Sequence, residues 1–149
     1  MSNIIIAMQL HLVFLLLANG SNSDTTTYPL TVKVSDLRNS EGLVQFAIYN
    51  NKEAFPDEHY KKYYQKQTAQ IFDGSSEITF EHLPAGTYAV NILHDEDKNG
   101  AIKKGFILPK EGIGFSNYHS IGFSNRPNFE KASFEIHSRK TIHVTMIYF

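Results

Sequence analysis

The side chains of this chain that could do chemistry gather in one stretch. Asp95-Glu96-Asp97-Lys98-Asn99-Gly100 sets oxygen-bearing side chains at alternate positions and closes on glycine. Asp95, Asp97, Asn99 and Gly100 thereby match the first, third, fifth and sixth positions of a calcium loop, where alternate oxygens converge and glycine permits the sharp turn. Ala101 would offer its carbonyl at the seventh position. Calcium takes about six to eight oxygens, and Glu111 is the carboxylate that could return from the far side of the loop. Lys103 stands at the ninth position, and Phe106 at the twelfth, where a loop of this kind carries Glu. The same residues also suit an Asx-rich turn, in which Asp95, Asp97 and Asn99 accept from backbone N–H groups without metal. Both readings stand at this point.

A second chemistry is available to overlapping residues. His94, Asp95 and Glu111 could assemble into an acid–base group, and paired carboxylates serve hydrolysis of this kind. The sequence has no Gly-x-Ser-x-Gly elbow, no His-Glu-x-x-His and no phosphate-cradling glycine loop. Ser116, in Gly114-Phe115-Ser116-Asn117, reads as a turn residue rather than a nucleophile. No two histidines have helical i, i+4 spacing, so a zinc site would need tertiary convergence of about three or four ligands. His94 at a strand end reads as a hydrogen-bonded structural residue. Binding is therefore the expected mode of action, and a hydrolase using His94, Asp95 and Glu111 is the alternative.

Short alternating runs between turn clusters must position these groups, the pattern of an all-β chain. Leu30–Val34, Leu43–Tyr49, Gln70–Phe72, Glu77–Glu81, Gly86–His94, Ser133–His137 and Thr141–Tyr148 read as about seven strands, as in a sandwich. Asp73-Gly74-Ser75-Ser76 is a hairpin signal between the third and fourth. The last two strands read as a hairpin with Ile136 opposite Val144 and Phe134 opposite Met146. Two stretches break the rhythm. Asn51–Gln67 predicts a short helix starting near Asp57, with Tyr60, Tyr63 and Tyr64 on one packed face. Asp95 to Glu130 carries glycines at 100, 105, 112, 114 and 122 and no clear period. Its aromatics argue for order, and a loop of that length in a compact domain is commonly functional.

Composition bounds the partners. With 14 Lys+Arg against 15 Asp+Glu in 149 residues, the formal charge of -1 gives no electrostatic case for nucleic acid. Cysteine is absent, which excludes disulfides, thiolate metal sites and a Cys nucleophile. There is no Trp, but 11 Phe and 8 Tyr supply bulk for a core. Residues 1–20, with apolar runs at Ile4–Met8 and Leu12–Leu17 and a small-x-small site at Ala18-Asn19-Gly20, read as a cleavable secretory signal. The apolar run is short for the roughly 20 residues of a membrane span. The expected organisation is thus a signal over 1–20 and one β-sandwich domain over 21–149.

Glu81-His82-Leu83-Pro84-Ala85-Gly86-Thr87-Tyr88, a strand followed by Leu-Pro-x-Gly-x-Tyr, resembles the secreted prealbumin-like sandwiches, such as carboxypeptidase regulatory-type domains. His94 to Gly100, Pro109 to Asn117 and Pro127 to Glu130 together resemble a bacterial family catalogued as domain of unknown function 2141, over nearly all of Leu30 to Tyr148. The resemblance implies a seven-stranded antiparallel Greek-key sandwich with one short helix and a long Gly/aromatic-rich loop, and it implies export. It supplies no activity, substrate or catalytic residue, and members often carry an acidic residue where Lys103 stands here. The expectation is an exported protein, periplasmic or extracellular, that binds an envelope or extracellular ligand through its 95–130 segment. It has no membrane span after cleavage, and the one cofactor the residues raise is a calcium ion at Asp95, Asp97, Asn99, Ala101 and Glu111, beside the metal-free Asx-turn reading of the same residues.

Overall fold

The computed structural model describes residues 25–105 and 108–149; the signal-like segment 1–20 and Phe106 lie outside them. Eight strands form two sheets: β1 Thr27–Val34, β2 Leu43–Tyr49, β3 Gln65–Ala69, β4 Ser76–Pro84, β5 Gly86–Asp95, β6 Gly112–Phe115, β7 Phe134–Ile136 and β8 Lys140–Val144. Three of them make one sheet, in the order β4-β1-β8. The other sheet runs β3-β2-β5-β6, with β7 also paired to β5. All pairings are antiparallel except β1 with β8, which is parallel.

Alternation explains the layering. Leu30, Val32 and Val34 of β1 point inward with Phe80 and Leu83 of β4, and they meet Val44, Phe46 and Ile48 of β2 and Tyr88, Val90 and Ile92 of β5. This is the inter-sheet core of a sandwich. The intervening residues of β2 and β5 do not reach water. Ala47, Tyr49, Ala89 and Leu93 form a second core with Phe55, Tyr60, Phe115, Tyr118 and Ala132. The five-stranded sheet is thus covered on both faces, by the small sheet on one side and by the long connections on the other. That is why β2 and β5 read as nearly continuous apolar runs while β1 alternates.

The number and pairing of strands differ from the sequence expectation in three places, the first being β6, an eighth strand within the 95–130 stretch. The Asp73-Gly74 turn forms, with both residues at positive φ (48° and 68°) and Phe72 and Ser75 exchanging 2.9 Å hydrogen bonds. The chain on either side splays to different sheets, so the third strand is Gln65–Ala69, paired to β2, rather than Gln70–Phe72. That strand is polar because it is an edge. The C-terminal hairpin does not form: β7 pairs with Gly86–Tyr88 and β8 with Leu30–Val34. Its inward parity is as read, since Ile136, Val144 and Met146 are buried. The pairing differs because β6 covers only Asn91–His94 of β5, leaving an open edge at Gly86–Tyr88 that β7 fills.

No helix starts near Asp57. The Asp57 carboxylate accepts from the backbone N–H groups of His59, Lys61 and Lys62, and Tyr60 stands at a φ of 50°, both incompatible with a continuing helix. A 3-10 turn, Lys52–Ala54, and a single-turn helix α1, Phe129–Ala132, are the helical elements described. Tyr60 alone of the three tyrosines is buried; Tyr63 and Tyr64 are 40% and 41% exposed. The 95–130 segment is not one loop, because β6 lies within it.

Candidate functional site

The acidic loop leaves the C-terminal end of β5. Asp95 is the last residue of that strand and pairs with Leu43 of β2. Gly112 opens β6 opposite His94, so the residue before it, Glu111, arrives beside Asp95 by antiparallel register. Sheet pairing therefore does what sequence spacing could not show. One carboxylate oxygen from each of Asp95, Asp97 and Glu111 lies within 4.8 Å of the others.

Each carboxylate also holds the backbone. Asp95 accepts from Asn99 N (3.0 Å) and Gly100 N (2.8 Å), and Asn99 Oδ1 accepts from Ala101 N (2.8 Å). Glu111 accepts from Glu96 N (3.1 Å) and Lys103 N (2.8 Å), tying both ends of the loop together. The Asx-turn geometry anticipated for these residues is present. An ionised carboxylate offers about four lone-pair sites, so two N–H bonds leave each of Asp95 and Glu111 able to accept a cation as well. Gly100, at φ 77°, makes the turn, and Gln45 of β2 donates to its carbonyl at 3.3 Å.

The electrostatics are uneven. Burial, with the charges of Asp97 and Asp95, pushes the Glu111 carboxyl above the usual carboxylate range. Lys103 Nζ meets Asp97 at 2.9 Å and holds that carboxyl below its usual range. Three carboxylates against one ammonium leave a net charge deficit at the cluster.

A second layer pins the head of the loop. Arg38, between β1 and β2, grips Glu96 through two nitrogens at 2.7 and 2.6 Å and donates to the Lys110 carbonyl at 2.7 Å. That hydrogen-bonded pairing lowers the Glu96 carboxyl. A group with a depressed folded pKa stabilises above its ordinary pKa, and that contribution disappears as pH falls through the folded value. Glu96→Gln should therefore lose on the order of 1 kcal/mol at neutral pH and show a flatter acid limb than the parent in denaturant unfolding. Superimposable acid limbs would mean that the pair contributes nothing.

His94 is fully buried, with Nε2 at 3.0 Å from the Glu41 carbonyl and Nδ1 at 2.8 Å from the Tyr148 hydroxyl. The carbonyl can only accept, so Nε2 carries hydrogen. Both ring nitrogens are committed to the protein, the structural role read for this residue. The assembly of His94, Asp95 and Glu111 into a hydrolytic group finds no support in that geometry. Ser116 is 2% exposed, its Oγ donating to the Ala132 carbonyl at 2.6 Å and accepting from Val90 N at 2.9 Å, as a structural turn residue does. His59 and His119 are exposed, and neither belongs to the carboxylate cluster found among the described residues.

Two cavities flank the loop. One, of about 820 Å³, is open and lined by the charged residues Arg38, Glu41, Glu96, Asp97, Lys103 and Glu111 among others. The other, of about 350 Å³, is lined mainly by apolar side chains of the 102–127 segment. They share Leu108, Pro109 and Phe149.

A family model described as an uncharacterized protein conserved in bacteria, DUF2141, matches residues 32–144, well over half of the chain. The chain belongs to the DUF2141 family. No curated protein and no solved structure matches it. The matched span runs from within β1 to the end of β8, so Asp95, Asp97, Asn99, Ala101 and Glu111 are part of the DUF2141 domain itself. Among the described residues, no helix of this DUF2141 chain is long and apolar enough to cross a membrane.

The sequence did not single out Arg38, Gln45, Glu96 or Tyr148. Arg38 opens Arg38-Asn39-Ser40-Glu41-Gly42, which by its residue types is an ordinary turn between two strands, and Gln45 sits among the apolar residues of a strand. Gly112 carried a signal that was missed: a Cβ there would stand 2.3 Å from the Tyr148 ring, so glycine is required for the tyrosine to reach His94.

Proposed function

We propose that this protein is an exported binding or accessory module whose working surface is the 95–130 segment, braced by calcium at Asp95, Asp97, Asn99, Ala101 and Glu111. The single observation that carries this reading is the convergence of three carboxylates from two separate stretches of that segment within 4.8 Å, beside two cavities that the same segment helps to line. The raised Glu111 carboxyl supports it, since a divalent cation would relieve the repulsion that Asp95 and Asp97 impose there. Calcium would displace Lys103 Nζ from Asp97, a swap that this solvent-facing ammonium can make without disturbing the fold. Export rests on the signal-like residues 1–20. We also read the two sheets as a Greek-key, prealbumin-like sandwich, in which end loops serve recognition.

A ion that binds only the native state stabilises by mass action, by about 2.7 kcal/mol at about 100 times its dissociation constant. Millimolar calcium should therefore raise the melting temperature by several degrees over a chelator control. Asp97→Ala should abolish that rise while leaving the chelator melting temperature nearly unchanged, because Asp97 is exposed. Identical melting with calcium and chelator would leave the Asx turn as the whole explanation of these residues.

A further inference from the structure

We propose that the apolar cavity is a binding site for a small amphiphilic monoanion, with an apolar body in the groove and an anionic head at Arg126. The inference deepens the binding reading given above and rests on its assignment of the 95–130 segment as the working surface. The groove encloses about 350 Å³, within the range of about 300–1,000 Å³ usual for small-molecule sites. Its floor is Ile113 and Phe115 of β6, each 4% exposed and held by the second core. Ile102 and Ile121 make walls, and Phe123 stands at the lip with 90% of its surface in water. A phenylalanine so exposed, continuous with a preformed apolar groove, marks a recognition surface rather than an isolated surface residue.

Charge selects the head group. Two cations and one carboxylate border the groove: Lys104, Arg126 and Glu58. Lys104 Nζ is paired with Glu58 at 2.5 Å. Among the described residues Arg126 makes no ion pair, and its exposed guanidinium is the surplus charge at the rim. Its backbone is fixed, because the Arg126 carbonyl accepts from the buried Tyr118 hydroxyl at 3.1 Å. A planar fork of donors on an anchored backbone beside an apolar slot fits a carboxylate on an alkyl or aryl body.

Octanoate titrated into the full chain, followed by amide chemical shifts, should saturate, with shifts gathered at Ile102, Ile113, Phe115 and Ile121. Octanol should bind the same groove about fivefold more weakly, the order of gain expected from one exposed ion pair. Arg126→Gln should bring octanoate down to the octanol level and leave octanol unchanged. Phe123→Ser should weaken both alike. Preference for octylammonium over octanoate, or octanoate shifts that ignore both substitutions, would overturn the proposal. So would a concentration-dependent dimer that Phe123→Ser disperses without any octanoate uptake, since the groove would then belong to a second copy. Calcium-dependent melting that persists while octanoate fails would discard this ligand class alone and leave the functional reading in place.

Discussion

Gly42→Ala is expected to cost more than about 4 kcal/mol, a loss of the size reserved for a named structural conflict. Two separate causes act at this residue. Its φ is 72°, in the left-handed region that a side chain disfavours by roughly 1–2 kcal/mol. A Cβ on Gly42 would also lie 1.9 Å from the Asp95 carbonyl oxygen and 2.6 Å from Glu96 Cα. Both neighbours are backbone, at the first two positions of the acidic loop, and neither can swing aside as a side chain could. Relief would require parting β2 from β5 where Leu43 pairs with Asp95, at the base of the candidate site. Gly74 supplies the control. It has a similar φ of 68°, but the nearest atom to an added Cβ is 3.8 Å away. Gly74→Ala should thus lose only the conformational cost, about 1 kcal/mol. Denaturant unfolding of both variants separates the two causes, and equal losses would show that Gly42 is not pressed against Asp95.

What could be seen in the sequence depended on whether the determining contact was local. Alternation in β1 and the long apolar run of β5 were legible because each strand's facing is written in its own residues. Leu-Pro-x-Gly-x-Tyr was legible as a tight connection between β4 and β5, and Tyr88 is buried after it. Partner choice was not legible. Phe134, Ile136, Val144 and Met146 have the parity of a hairpin, yet the open edge left by β6 recruits β7, and β8 crosses to β1. Nothing within residues 133–148 encodes where β6 stops. β3 was missed for the opposite reason: Gln65-Lys66-Gln67-Thr68-Ala69 has no apolar pattern because an edge strand under little cover needs none.

The site divides along the same line. Asp95, Asp97 and Asn99 were legible because their alternation is local, and Glu111 could be named as a candidate but not placed. It is the pairing of β5 with β6 that brings it within 4.8 Å of the two aspartates. Arg38 and Tyr148 come from opposite ends of the chain, and their roles follow only from tertiary geometry: the Arg38 guanidinium carbon stands 4.8 Å over the Tyr148 ring.

Asp57→Ala should be the most damaging substitution of a single polar side chain, at about 3 kcal/mol. Asp57 lies between β2 and β3 and is 7% exposed. Its Oδ2 accepts from Lys61 N and Lys62 N, both at 2.6 Å, and its Oδ1 from His59 N at 3.2 Å. The same residue's backbone carbonyl accepts from Asn91 Nδ2 at 3.2 Å, while Asn91 Oδ1 accepts from the Tyr60 hydroxyl at 2.8 Å. Asn91 and Tyr60 are buried, and burial pushes the Tyr60 hydroxyl well above its usual pKa. This network is what seats the 51–64 connection on the outer face of the five-stranded sheet. Truncation to alanine leaves three backbone donors without an acceptor, at roughly 1–3 kcal/mol for each one kept from water. Asp57→Asn retains one oxygen, which can stay with Lys61 and Lys62 while its amide faces His59 N, so about half the loss is expected. Tyr60→Phe, which strands only Asn91 Oδ1, should cost about 1 kcal/mol. Amide exchange locates the effect: in Asp57→Ala, Lys61 and Lys62 should lose protection while Val32 and Phe80 in the inter-sheet core keep theirs. Uniform loss across both cores would show instead that the connection and the sandwich open as one unit.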